Sequence, residues 1–273
     1  MGSQDGQRKR QRTEDDALGG LYAFLPPPDP AKDAAAKAQV EKSLFKRPKL
    51  PTEDPTRVIF LDVDGVLLPS GSVDTIVIDG VCLPMRAVRE SDFSISALGN
   101  LRSIVQQTGA MIVLSSEWRR TNELRSSINA VLKSHDIPQF RERTEVLSPK
   151  PVLQKHNGIL AWCERRAREI GLWLRAHPEV TAWVALDDLD FAWADSVRVA
   201  GTPWIKYRSV HTDDKKCITE TDAAEAVRLI LNPPPEPRHA PKKPPQLEEV
   251  PASEFAGLLC STEDSMPDRI RLG

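Results

Sequence analysis

Cysteine is scarce and scattered. The four residues Cys82, Cys163, Cys217 and Cys260 form no C-x-x-C pair, so neither a zinc cluster nor a disulfide framework organises this chain, and a reducing compartment fits best. No apolar run is long enough to cross a bilayer, and MGSQDGQRKRQR at the start lacks the apolar stretch of a secretory signal. The expectation is a soluble intracellular protein, cytoplasmic or nuclear, with no membrane partner. The basic run RKRQR at 8–12 resembles a nuclear-import signal, but a solvated charge run in a tail is the favoured reading of it. Charge of one sign is also missing. With 37 Lys and Arg against 39 Asp and Glu, the net charge of -2 implies no stable nucleic-acid binding through the whole surface, though a local basic strip is still allowed. The five histidines show no ligand spacing. Six tryptophans all lie between 118 and 204, where packing or base stacking can occupy them.

Proline, by contrast, is plentiful and unevenly placed. Of 23 prolines, 7 precede Arg57 and 9 follow Asn232, which marks the intervening segment as the folded one. Residues 1–56 and 233–273 read as tails that bury too little apolar surface to offset ordering entropy. Short helices at 31–44 and 253–259 are the expected exceptions, too weak to fold alone. The domain is therefore expected over 57–232.

Within it, short apolar runs alternate with longer amphipathic ones. RVIFLDV (57–63), AMIVLS (110–115) and AWVAL (182–186) suit strands buried on both faces, whereas 95–108, 121–135, 164–177 and 221–231 carry helical spacing. This alternation predicts an α/β fold with a doubly wound parallel sheet, whose ligands bind beyond the carboxyl ends of the strands. VDTIVIDG after the first strand predicts a small β-hairpin flap with Gly80 at or near its turn.

Three strand ends carry polar groups that a buried sheet does not need: Asp62 and Asp64, then Ser115, then Asp187 and Asp188. Unpaired buried carboxylates are costly, so their convergence on a cation or a phosphate is the simplest reason for them. Asp62 and Asp64, two apart, leave the strand on one side, and Gly65 permits a sharp turn. The bland readings are a turn or capping pair for the aspartates and a helix cap for Ser115 and Ser116.

DVDGVL at 62–67 resembles the D-x-D-G-x signature of the haloacid dehalogenase-like (HAD) phosphatases. LSSEWR (114–119), RRAREIGLWLRAHPEV (165–180) and WVALDD (183–188) follow in order and are similar to the HAD domain of Swiss Army Knife RNA repair proteins. The resemblance implies a HAD-like Rossmannoid fold and a phosphomonoesterase, with Asp62 as nucleophile and Asp64 as general acid. It implies Mg²⁺ held by Asp62, the backbone carbonyl of Asp64 and the pair Asp187 and Asp188, with Ser115 bonding a phosphoryl oxygen. A cation should bridge nucleophile and phosphate: Arg166 is the choice, with Arg165, Arg168 and Lys155 as rivals. Arg119 either touches substrate or braces its loop. Glu117, and Cys217-Ile218 where this branch usually shows Gly-Leu, depart from the pattern, and the segment 141–163 is longer than expected.

The implied partner is a phosphorylated substrate: a small molecule, an RNA end or a phosphoprotein. A second reading, from another class, is a binding module that keeps the fold and engages partners through its Pro-rich tails. The presence of Asp64 beside Asp62 counts against it.

Overall fold

A computed structural model describes residues 48–78, 81–192, 194 and 204–235. The expected helices at 31–44 and 253–259, the basic run at 8–12 and Gly80 lie outside the described residues. In chain order the elements are β1 (Asp54–Leu61), β2 (Thr75–Ile78), β3 (Val81–Pro84), α1 (Ile95–Thr108), β4 (Ala110–Leu114) and α2 (Asn122–Ser134). There follow β5 (Glu142–Arg143), α3 (Pro151–His156), α4 (Gly158–Ala176), β6 (Ala182–Asp187), β7 (Ser209–His211) and α5 (Glu220–Leu231). Among the described residues, no helix is long and apolar enough to cross a membrane.

Five strands form one parallel sheet in the order β5-β4-β1-β6-β7. From central β1 the chain builds outward through β4 to β5, then returns to add β6 and β7 on the other side. The direction of winding therefore reverses beside β1, which is where a doubly wound sheet opens a crevice. Alternation along the strands sorts the core into two faces. Ile59, Leu61, Ile112, Leu114, Val184 and Leu186 pack in one layer with α1, α2 and α5. Val58, Phe60, Met111, Val113, Trp183 and Ala185 pack in the other with Cys163, Ala167, Ile170 and Trp173 of α4. Phe60 meets Trp173 and Trp183 edge-on at 5.3 and 5.9 Å, so these two tryptophans serve packing.

The boundaries differ from expectation at two places. Strand β1 begins at Asp54, where the Asp54 N–H donates to the Gly109 carbonyl at 2.7 Å, and Leu50 packs on the core. Ordered packing thus starts ahead of 57. Helix α4 begins at Gly158 rather than near 164, because Asn157 caps it by accepting from the N–H groups of Ile159 and Leu160. The hairpin pairs Ile78 with Val81, and β2 lies wholly exposed, with Val77 at 64%. Its exit is clamped by Arg86, which donates to both oxygens of Asp92 at 2.6 and 2.8 Å.

Candidate active site

The three expected strand tips lie side by side because the sheet ladder runs one residue past each strand. The Asp62 N–H donates to the Leu186 carbonyl at 3.0 Å, Ser115 to Leu61 at 2.9 Å, and Thr212 to Asp187 at 3.0 Å. After Asp62 the chain turns sharply: the Val63 carbonyl accepts from Leu67 and Leu68, and Thr212 Oγ1 holds the Gly65 carbonyl at 2.8 Å. Gly65 has φ +67°, and a Cβ there would lie 2.6 Å from both Cβ and Oδ2 of Asp188. Both the left-handed backbone and the contact demand glycine. Gly65→Ala is expected to cost about 1–3 kcal/mol and to displace Asp188. Urea unfolding measures it; an unchanged midpoint would show that the turn yields freely.

Carboxylate oxygens of Asp62, Asp187 and Asp188 come within 4.8 Å of one another. Asp62 and Asp187 are buried, and Asp188 is half-buried. One guanidinium faces them: Arg166 Nη1 lies 3.2 Å from Asp62 Oδ2 and 2.5 Å from Asp187 Oδ2. Burial pushes the Asp187 carboxyl up to about 7 despite Arg166, and burial with the charges of Asp62 and Asp187 pushes Asp188 well above the usual range. Ionised together, three carboxylates against one guanidinium would carry an excess of two negative charges, which is why their carboxyls are raised and why oxygen donors at this spacing fit a hard dication.

Asp64 stands apart from this trio. Its Oδ2 accepts from Trp118 Nε1 at 2.8 Å, and burial with the Asp62 charge pushes its carboxyl up to about 7. Its carboxylate is therefore not one of the clustered acids; of the four acids expected around a metal, Asp64 has only its backbone carbonyl to offer. Trp118 itself is fully buried and serves Asp64 through its indole N–H, a part that neither packing nor base stacking anticipates. Ser115 Oγ and Ser116 Oγ are buried and have no hydrogen-bond partner among the described residues. Neither caps a helix, since Thr121 caps α2 and the turn Glu117–Arg119 has no side-chain cap. A buried hydroxyl without a partner costs about 1–3 kcal/mol, which an incoming oxyanion would offset.

The rival cations go elsewhere. Arg165 pairs with Glu117, Arg168 with Glu164 and the Ser148 carbonyl, and Lys155 is exposed on α3. Arg119 is fully buried and donates to the carbonyls of Ser115 and Ser116 at 2.6 and 2.5 Å and to Glu169 at 2.6 Å, so it braces the loop after β4. Glu169 also accepts from the Leu147 N–H at 2.9 Å and lies 3.9 Å from Arg166 Nε. Burial alone would raise Glu117, but Arg165, Arg119 and Arg120 pull it down to about 2. The departure at Glu117 is thus the acid that locks α4 to the serine loop.

The sequence model of the family described as the HAD domain in Swiss Army Knife RNA repair proteins matches residues 58–223. The match runs from the first core residues of β1 into α5 and contains every residue of the cluster. No curated protein and no solved structure matches the chain.

Proposed function

Given that the chain belongs to the family of HAD domains in Swiss Army Knife RNA repair proteins, we propose that it is a Mg²⁺-dependent phosphomonoesterase that works through an aspartyl phosphate on Asp62. One observation carries this reading: Asp62 is at once a member of the three-acid cluster and an ion-pair partner of Arg166, so a phosphate brought to it meets positive charge. Asp62, Asp187 and Asp188 would hold Mg²⁺, which when bound would supply the neutralisation that lets an anionic carboxylate approach an anionic phosphate.

Each remaining part belongs to the chain. An Asp62 oxygen attacks phosphorus, and the bond to the leaving oxygen breaks as Asp64 gives that oxygen its proton. Asp64 suits this exchange because burial holds its carboxyl near neutrality and the Trp118 N–H fixes its orientation. Water then attacks the aspartyl phosphate and passes its proton to Asp64, releasing inorganic phosphate and restoring Asp62. Ser115 Oγ donates to a phosphoryl oxygen, and Arg166 balances the charge spread over the others.

The substrate class is a phosphomonoester; RNA ends are to be tried because the family is described from RNA repair proteins, with small metabolites and phosphoproteins equally open. Hydrolysis of a panel including 3′- and 5′-phosphorylated RNA, small metabolite phosphates and a phosphopeptide tests the proposal. With Mg²⁺ at least one member is expected to turn over, and EDTA is expected to lower that rate by at least about 100-fold. Turnover indifferent to EDTA would overturn the metal's role, and silence across the panel would favour the binding-module reading.

A further inference from the structure

A second cleft opens at the β5 edge of the sheet. Its volume is about 340 Å³, and Asn122, Arg125, Ser126 and Asn129 of α2 face Arg141 and Arg143 across it. Strand alternation explains why the arginines gather there. Glu142 pairs in register with Val113, whose side chain lies on the α4 face, and its carboxylate accordingly accepts from Trp173 Nε1 at 3.0 Å. Arg143 pairs with Leu114 on the α2 face, and Arg141, just ahead of the strand, lines the same cleft. Both are exposed, and neither pairs with a carboxylate among the described residues. Asn129 ties the cleft wall together, its Nδ2 donating to the Phe140 carbonyl at 3.3 Å and its Oδ1 accepting from the Phe140 N–H at 3.1 Å. Arg125 donates to the Arg119 carbonyl and to Asn122 Oδ1, which joins this wall to the loop carrying Ser115.

The position of the cleft gives it meaning. Leu61, just before Asp62, pairs with Leu114, which pairs with Arg143, so the strand that carries Arg143 lies two strand spacings, roughly 10 Å, from the strand that ends at Asp62. We propose that Arg125, Arg141 and Arg143 form a second phosphate subsite, which takes an inner phosphate of a substrate whose terminal phosphate lies at Asp62. This rests on the reading of Asp62 as phosphoryl acceptor. The cleft is also lined by Phe140 and by Glu142, whose carboxylate is turned to Trp173, so three guanidiniums with amide and hydroxyl groups beside them suit the oxygens of a second phosphate, which an uncharged ligand or one whose single phosphate lies at Asp62 does not bring. The near-neutral net charge does not oppose this, because the positive charge is local.

The test uses the full chain with Asp62→Asn, which stops turnover, titrated with a fluorescent, 5′-phosphorylated short RNA and separately with inorganic tripolyphosphate. Adding Arg141→Ala and Arg143→Ala is expected to weaken RNA binding by about tenfold or more and to make the log-affinity against log-salt slope shallower by roughly 1.4. The same pair in the otherwise unaltered chain is expected to leave hydrolysis of p-nitrophenyl phosphate unchanged. Loss for RNA alone assigns the subsite to a nucleic-acid backbone; loss for tripolyphosphate as well extends it to small polyphosphates; either result supports it. Unchanged affinity for both ligands overturns it. If the unaltered chain hydrolyses neither p-nitrophenyl phosphate nor any member of the phosphomonoester panel while the arginines still govern binding, the proposed chemistry fails and the anion subsite stands.

Discussion

Asp62→Asn is expected to lower phosphomonoester turnover by on the order of 10,000-fold or more while the protein stays folded. The amide has the size of the carboxylate, and its oxygen can still accept from the Val63 N–H, which donates to Asp62 Oδ1 at 2.9 Å. What disappears is the nucleophilic lone pair of an anion. Asparagine also removes one of three clustered negative charges, and Arg166 keeps Asp187 as partner at 2.5 Å, so the unfolding midpoint is expected to hold or rise. Parallel assays of turnover and thermal unfolding separate the two effects. A variant with full turnover and an unchanged midpoint would exclude Asp62 as nucleophile; a variant that loses both would point to a structural part for the carboxylate. A binding module would lose neither its fold nor its partners.

Period and composition made the sheet legible: three strands and four helices are read from runs such as VIFL and MIVL, and their order fixes which tips meet. The acids at those tips were legible for the same reason, because a carboxylate after a buried strand has no local explanation. The contacts that arm the site were not. Trp118 and Asp64 are 54 residues apart, Arg165 and Glu117 are 48 apart, and Arg119 and Glu169 are 50 apart, so no local spacing announces any of these pairs. Glu117 stood out only as a departure, and its cause is a cation on a different helix. Cys217 is similar: it stands where the resembling branch shows glycine, and here it is buried with φ +61°, a conformation that costs a residue with a Cβ roughly 1–2 kcal/mol. The departure was visible in the sequence, whereas its strain exists only in the folded backbone. The β5 edge, two residues long, carries too little pattern to be read as a strand at all.

Arg166→Ala is expected to destabilise the metal-free protein by about 3–5 kcal/mol and to abolish turnover, because it leaves buried carboxylates without their counter-ion. Arg166 is 4% exposed and touches Asp62 and Asp187 through one nitrogen, Nη1, while Nε lies 3.9 Å from Glu169. Alanine therefore removes the charge that holds two of the three clustered acids together and also opens a void beneath the sheet tip. Two further measurements make the cause specific. Adding Mg²⁺ is expected to recover part of the lost stability, since a dication between Asp62, Asp187 and Asp188 does electrostatically what the guanidinium did from the side. Arg166→Lys is expected to restore the fold more fully than turnover, because one ammonium can reach the single point where both carboxylates meet but cannot also present a planar second face to a phosphate. Urea unfolding with and without Mg²⁺ reads all of these. A metal-free Arg166→Ala variant with the stability of the unaltered chain would mean that the acid cluster is relieved by another route, and Arg166 would lose its place as the cation that allows nucleophile and phosphate to meet.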